Sequence, residues 1–565
     1  MLHSSFEQNQ SPIQKLRRET TPKIPSILKH IQSLQAHPKD KMHANTHQDE
    51  LQRLFPLTYG QSLIEFDEVS NLPTKPLKVG VVLSGGQAPG GHNVIAGLYD
   101  ALQAFHEDSQ LFGFLNGPAG ILKNQTLLIE ESTIDPYRNQ GGFDLLGSGR
   151  TKIETEEQLR ESLKTMNALD LDGLVVVGGD DSNTNAAVLA ETFKKAGCKT
   201  VVIGVPKTID GDLKNEHVEV SFGFDTACKI YSEMIGNLEK DALSSKKYYH
   251  FVKLMGRSAS HIALECALQT HPNMTLIGEE LAHNKSTLKD ITKQIADMVC
   301  ARSAKGLEYG VILIPEGLIE FIPEIGQLLK ELNMLLAPEK PYQMHVTTQG
   351  AKALNAHLSA KSLNAFETLP ELIKNQMLLD RDPHGNVQVA MIATETLLMM
   401  LVKKELEQRA VSGQFSGSFN PVSHYFGYEG RAGLPSLFDS NYCYSLGAVA
   451  ALLVKNQVTG YMSIVKKLNL PVEDWQICGI PLTTMMNVEM RHGKLKPVIK
   501  KALVELDSSS FKVFEQQRSE WQVVDHYRSP GPMQFTGDPA ISESIPLSLM
   551  ETTSYAIVPE QLVKA

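Results

Sequence analysis

No apolar run in this chain approaches the roughly 20 residues that a membrane-spanning helix needs. Basic charge is also in deficit: 54 Lys and Arg stand against 64 Asp and Glu, a net charge of −10. A chain with no basic excess cannot neutralise a phosphate backbone or an anionic lipid surface globally, which argues against nucleic-acid and membrane partners. Any phosphate must be held by local donors. Cysteine is scarce too. The six thiols, Cys198, Cys228, Cys266, Cys300, Cys443 and Cys478, form no CxxC pair and no tight cluster. That disfavours a disulfide framework or a zinc site and suits buried reduced thiols. Met1 to Glu7 lacks the basic-then-apolar layout of a secretory signal, so a cytoplasmic protein is expected. Neither GxxxxGK[ST] nor a clean GxGxxG occurs after a strand, so P-loop and dinucleotide chemistry are not indicated. No internal repeat of fixed short period is found.

What remains is an ordinary globular composition, 42% apolar and 21% charged, in 565 residues. That length is too great for one core, so two domains plus extensions are expected. Residues 1–74 are polar and nearly free of glycine, with amphipathic helical pieces from Ile24 and from Asp49 to Phe55. They read as an extension packed on the outside or on a partner subunit. Asn71 to Pro76 reads as a linker.

The core then repeats one unit, an apolar strand breaking into a glycine-bearing loop and a helix. Val79–Leu83 runs into Ser84-Gly85-Gly86, followed by Ile95, Leu98, Leu102 and Phe105 at helical spacing. A strand near Leu111 to Leu115 precedes a loop ending Gly147-Ser148-Gly149-Arg150. This arginine either forks onto a phosphate or is solvated after a flexible turn. Gly173–Val177 breaks into Gly178-Gly179-Asp180-Asp181-Ser182, and Val201–Val205 into Pro206-Lys207-Thr208-Ile209-Asp210-Gly211-Asp212. Phe251–Leu254 ends in Met255-Gly256-Arg257, and Val311–Ile314 in Pro315-Glu316-Gly317. Phe321 to about residue 386 reads as a helical insertion, and Val387 to Thr394 as a resumed strand. Phe426 to Gly433, including Tyr428-Glu429-Gly430-Arg431, is a glycine-spaced loop before a helix from Tyr444 to Val454. Beyond Lys500 the pattern is irregular.

In an open parallel sheet, ligands bind past the carboxyl ends of the strands, where every special residue here falls. Glycine turns, Arg150, Lys207, Arg257 and Arg431 as donors, and Asp180, Asp181, Asp210 and Asp212 as acceptors, make a cleft suited to phosphoryl transfer. Paired carboxylates would attract Mg²⁺. The plainer role for each aspartate is a helix cap or a turn.

These ordered motifs resemble the phosphofructokinase family over roughly residues 78 to 460. Asp181 and Lys207, with the length, resemble its long pyrophosphate-dependent branch, since the ATP-dependent branch usually has glycine at both positions. The resemblance implies an α/β fold of two parallel-sheet domains with the active site in the cleft between them, plus a helical N-terminal extension and insertions. It implies domains at 75–245, binding pyrophosphate and Mg²⁺, and at 246–460, binding sugar phosphate, with 461–565 returning to the core. It further implies Mg²⁺-dependent, reversible transfer from pyrophosphate to the 1-hydroxyl of fructose 6-phosphate. Asp210 would be the general base, with Asp181 and Lys207 selecting the donor and stabilising transfer. Asp180 would bind the metal, and Gly86 would lie against pyrophosphate. Arg150, Thr208, Ile209, Met255, Gly256, Arg257, Glu316, Tyr428, Glu429, Gly430 and Arg431 match substrate contacts. Lys247 and Tyr248 match residues that reach into a neighbouring subunit's site, implying an oligomer, most simply a homodimer. Gly211 departs from the family's usual asparagine, and Gln87 and Gly91-His92 from its commoner first loop. An ATP-dependent enzyme and a non-catalytic subunit of the same fold are the rival readings.

Overall fold

A computed structural model describes residues 12–70, 72–336, 357–378, 387–491 and 494–533, with scattered positions between 536 and 549. Parts of the expected insertion (337–356 and 379–386), Asn71 of the expected linker and the tail from 550 lie outside the described residues.

The chain divides into two compact units. The first comprises residues 1–227, 429–502 and 533–549, and the second 228–428, 503–532 and 550–565. Each is built on its own sheet.

The strands are β1 (Leu34–Lys41), β2 (Ser62–Glu68), β3 (Lys78–Leu83), β4 (Gln110–Phe114), β5 (Thr126–Ile129), β6 (Gly173–Gly178) and β7 (Val201–Pro206). They continue with β8 (Tyr249–Leu254), β9 (Met274–Thr275), β10 (Gly310–Pro315), β11 (Pro421–Phe426), β12 (Tyr461–Lys466), β13 (Gln476–Pro481), β14 (Met486–Arg491) and β15 (Lys494–Ile499).

The first unit's sheet runs β1-β2-β13-β12-β7-β6-β3-β4-β5. Its centre, β12-β7-β6-β3-β4, is parallel. β6 and β7 are buried at every position, which is why they read as continuous apolar runs and not as alternating ones. From β3 the chain crosses to β4 on one side, then places β6 and β7 on the other. The strand order therefore reverses between β3 and β6. Such a switch point opens a crevice at the carboxyl edge, because the two following connections leave in opposite directions.

The N-terminal extension is helical only in part. Pro12–Glu19 and Gln48–Leu54 are α-helices and Ser26–Ser33 is a 3-10 helix. β1 and β2, however, pair antiparallel and join the sheet edge through β13. Their sequences, rich in Lys, Asp and Glu with one proline, carry little apolar alternation, since only one face of an edge pair is buried. That is why they were not legible as strands.

The second unit's sheet, β11-β8-β10-β9, is wholly parallel. A core of Ile, Leu, Val and Phe from β8, β10 and the helices Leu288–Ser303 and Thr394–Val411 fills one side. The strand expected at Val387 to Thr394 is instead a 3-10 turn, Val389–Met391, leading into that second helix. Its apolar run caps the core as a buried turn, which a short run cannot reveal by periodicity. Beyond Lys500 the irregular pattern conceals the helix Ser509–Trp521, whose Phe511, Phe514 and Trp521 are buried. Ser508 caps it by accepting from Phe511 N. The helix before the C-terminal strands starts earlier than Tyr444, at Leu437, with Ser436 as its cap. It is long and apolar enough to cross a membrane, yet it is almost entirely buried, so it reads as the central helix of a core.

Candidate active site

In the first unit three loops leave neighbouring strand ends and are tied together. Ser84 N donates to Val177 O (2.8 Å) and Lys207 N to Gly178 O (3.0 Å), so the strand ladders continue one residue into the loops. Ser182 Oγ donates to Ser84 Oγ (2.8 Å), joining the loop after β6 to that after β3. Gly85 N donates to Gly149 O (2.9 Å), and the exposed Arg150 that follows brings Nη2 within 4.0 Å of where a Cβ on Gly86 would lie. The β3 loop, Gly86 and Arg150 are thus brought together.

Asp180 and Asp181 open helix α1 (Asp180–Lys195), with Gly179 at its cap. Carboxylates at this end are stabilised by the helix dipole. Burial nevertheless pushes the Asp180 pKa up; Lys501 draws it back down, while Asp181 and Asp212 push it further up. Asp181 is more exposed and pairs with Lys152 (3.0 Å).

Lys207 is 6% exposed. Burial pulls its pKa down to about 8, against the opposing pull of Asp210, Asp212 and Asp180, and Arg431 adds to the lowering. Arg431 therefore stands close enough for its charge to be felt at Lys207. Beyond Lys207 the loop is locally fixed. Asp210 N donates to Thr208 Oγ1 (3.1 Å) and Ser221 Oγ to Thr208 O (3.0 Å). Ile209 is buried, and Asp210 is half-buried. Gly211 has φ +73°. Glycine and asparagine are the residues that enter this left-handed region most readily, so glycine suits the turn here.

Asp212 is buried and is an acceptor in an ion pair, not a cap. Lys501 Nζ lies 3.3 Å from Asp212 and 3.8 Å from Asp180. Burial disfavours the Lys501 charge, but Asp180, Asp212 and Asp210 outweigh it and raise the lysine's pKa. Lys501 carried no sequence signal, because it sits in a lysine-rich stretch without a glycine turn. Lys152, Ser84 and Ser182 were likewise passed over.

His92, one of the first-loop departures, is fully buried and structural. Its Nδ1 faces Gln140 O (2.7 Å) and its Nε2 accepts from Leu145 N (3.1 Å), which fixes the Nδ1–H tautomer. Burial lowers its pKa, so it is a neutral strut for the 140–145 loop.

In the second unit the ends of β8, β10 and β11 lie side by side. Glu316 is 2% exposed and accepts from Gly256 N (Oε2, 3.0 Å) and from the Tyr425 hydroxyl (Oε1, 3.2 Å). Met255 N donates to Phe426 O (2.9 Å). Gly317 must be glycine, since a Cβ there would lie 1.8 Å from Arg257 O. This contact presses Arg257, which is exposed, into a fixed turn. Tyr428 is 66% exposed. Lys247 and Tyr248 lie before β8, at its amino end, with the ammonium 5.1 Å over the tyrosine ring. They are therefore a strand's length from Met255, Gly256 and Arg257.

Among the described residues no group of three or more His, Cys, Asp or Glu forms a metal cage. The donors fit Mg²⁺ all the same. Asp180 and Asp212 are hard oxygen ligands already gathered around a cation, the Lys501 ammonium. Mg²⁺ typically uses one or two carboxylates and completes its shell with water and phosphate.

The phosphofructokinase family model matches residues 78–454. The chain belongs to the phosphofructokinase family. It is 56% identical over 494 residues to the pyrophosphate–fructose 6-phosphate 1-phosphotransferase subunit beta of Solanum tuberosum, covering 87% of this chain and 86% of that one. It is 50% identical over 546 residues to the pyrophosphate–fructose 6-phosphate 1-phosphotransferase of Treponema pallidum, covering 94% and 95%. The solved pyrophosphate-dependent phosphofructokinase of Nitrosospira multiformis is 15% identical and covers 83% of this chain and 95% of its own, with a TM-score of 0.52. That likeness bears on the fold alone, an α/β phosphofructokinase fold.

Proposed function

We propose that the protein transfers a phosphoryl group from pyrophosphate to the 1-hydroxyl of fructose 6-phosphate, giving fructose 1,6-bisphosphate and phosphate. The observation that carries this reading is the 56% identity, over most of both chains, to a relative named for that reaction. The strand-end loops supply the matching chemistry: a half-buried Asp210, a buried Lys207 and the Asp180–Asp212 carboxylates converge on one sheet edge.

Asp210 takes the proton of the attacking hydroxyl. Its position is set by the Thr208 turn and by Gly211. Lys207 stabilises negative charge on the transferring group, and burial makes that charge count for more than it would in water. Asp180 would hold Mg²⁺, with Asp212 as its neighbour. When bound there, Mg²⁺ would supply Lewis-acid charge to the phosphate oxygens. Gly86 and Arg150 receive pyrophosphate, and Asp181 closes the space that the longer chain of ATP would need. Within the first unit Thr208, Ile209, Glu429, Gly430 and Arg431 serve as substrate contacts, and within the second Met255, Gly256, Arg257, Glu316 and Tyr428 do so. Glu316 acts from inside the turn it braces.

The active protein is an assembly of subunits, most simply a homodimer. Six residues of β8, roughly 20 Å of strand, separate Lys247 and Tyr248 from the Met255 turn, which suits their service to another subunit's site. The name of the potato relative, a subunit beta, agrees with an assembly. Six free thiols suit a cytoplasmic setting.

The test is a coupled assay of the purified protein with fructose 6-phosphate and Mg²⁺, offering pyrophosphate or ATP, and the reverse reaction from fructose 1,6-bisphosphate and phosphate. Turnover with pyrophosphate in both directions is expected. Turnover with ATP alone, or with neither donor, overturns the reading.

A further inference from the structure

After β15 the chain runs Lys500-Lys501-Ala502, and hydrogen bonds from the main-chain N–H groups of Ile499, Lys500 and Ala502 fix it on both sides of Lys501. Ile499 N donates to Thr184 Oγ1 (3.1 Å), one turn into α1 from Asp180. Lys500 N donates to Met485 O (3.3 Å), and Ala502 N to Asp212 O (2.7 Å). A lysine side chain has four rotatable carbons and would ordinarily wander. Here its root is anchored on both sides, and its ammonium lies 3.3 Å from Asp212 and 3.8 Å from Asp180. The two carboxylate side chains are 6% and 25% exposed and the lysine side chain 39%, so the contact is partly screened by solvent on the lysine side and sheltered on the carboxylate side.

We propose that Lys501 is a further pyrophosphate-binding residue. Its ammonium holds the Asp180 and Asp212 carboxylates in the unliganded protein and turns to the pyrophosphate once a divalent cation takes Asp180. The inference rests on Asp180 as the metal ligand. A divalent ion at Asp180 must share a few ångströms with the ammonium, and like charges in a partly dehydrated place repel. Pyrophosphate, with several negative charges, relieves that repulsion by accepting both cations. Metal alone is therefore bound weakly, metal with pyrophosphate strongly, and the difference is set by Lys501. The arrangement ties metal occupancy to the presence of the donor substrate, because the lysine occupies the carboxylates until the donor arrives. Lys207 cannot do this from the next strand end, since it is sealed inside the sheet edge, whereas Lys501 has room to move.

The experiment is titration of the full-length protein with Mn²⁺, a spin-active substitute for Mg²⁺, read as free Mn²⁺ by electron paramagnetic resonance, without any substrate. Steady-state kinetics on the same variants follow. Lys501→Met should bind Mn²⁺ about tenfold more tightly than the parent. It should also raise KM for pyrophosphate about tenfold, with KM for fructose 6-phosphate within about twofold. Lys501→Arg should restore weak metal binding. If Lys501→Met leaves Mn²⁺ affinity unchanged or weaker, or if Lys501→Arg binds Mn²⁺ as tightly as Lys501→Met, the proposal is overturned in favour of a purely structural lysine. Asp180→Asn separates the two layers of the argument. Mn²⁺ binding that survives it removes the metal-ligand reading, and this inference with it. Binding lost in Asp180→Asn but unaltered in Lys501→Met removes the inference alone.

Discussion

Lys207 should give the enzyme an alkaline limb that ordinary lysines do not produce. A solvated lysine keeps its charge to above about pH 10. Burial at the end of β7 pulls this one down to about 8, and Arg431 adds to the lowering, while Asp210, Asp212 and Asp180 oppose it. The cation is thus present below pH 8 and lost as pH rises through it, so activity falls with rising pH. For a single ionisation near 8, about nine-tenths of the free enzyme carries the charge at pH 7 and about one-tenth at pH 9. The ratio kcat/KM for pyrophosphate reports ionisations of the free enzyme, so it should drop about tenfold across that interval. Lys207→Arg supplies the control, because a guanidinium stays protonated throughout. The site is tight, with a Cβ on Gly85 falling 3.6 Å from Lys207 Nζ, so the arginine variant will be slower. The shape of its profile is what matters. Dividing one profile by the other cancels the titration of pyrophosphate itself, and the quotient should bend near pH 8. Identical limbs in the two proteins, or a parent profile flat to pH 10, would refute the assignment of a low-pKa buried lysine to the donor site.

Other outcomes follow from the same geometry. Asp210→Asn should lower kcat by about 10²–10⁴ while calorimetric binding of fructose 6-phosphate persists; turnover near that of the parent would remove Asp210 as the base. Asp181→Gly breaks a half-exposed ion pair with Lys152, worth about 0–1 kcal/mol, and removes one carboxylate from the first turn of α1, worth about 0.3–1 kcal/mol. The fold should therefore persist with at most a small loss of stability, and the ratio of pyrophosphate to ATP activity should fall. An unchanged ratio would place donor choice elsewhere. Gly317→Ala puts a methyl group against the Arg257 carbonyl, and neither is a flexible side-chain end. Urea denaturation should show a loss of about 1–3 kcal/mol, and KM for fructose 6-phosphate should rise more than KM for pyrophosphate. Stability within about 0.5 kcal/mol of the parent would mean that the turn is not pinned there.

The sequence by itself determined the central strands and the loops that follow them. β3, β6, β7 and β10 are almost wholly buried, so each shows as an apolar run, and the candidate residues stand in the glycine-bearing loops that follow; β8 is buried too, although His250 and Lys253 interrupt its run. Asp180, Lys207, Asp210, Arg257 and Glu316 could be proposed from the sequence for that reason. Only the tertiary structure decided how those residues are used. Asp212, readable in sequence as a turn aspartate, is an ion-pair partner. Glu316 is turned inward to brace a turn, and Ile209 is buried. His92 is a neutral strut, although a histidine in a glycine loop could have looked chemical. The edge strands β1 and β2 and the helix Ser509–Trp521 were hidden because half-exposed elements carry too few apolar residues to set a period. Lys501 was hidden for a different reason. Nothing local marks it, since its place beside Asp180 and Asp212 is created by hydrogen bonds to Thr184, Met485 and Asp212, residues up to more than 300 positions away. Local patterns record how a strand is buried; the meeting of a distant lysine with two carboxylates depends on the whole sheet being assembled first.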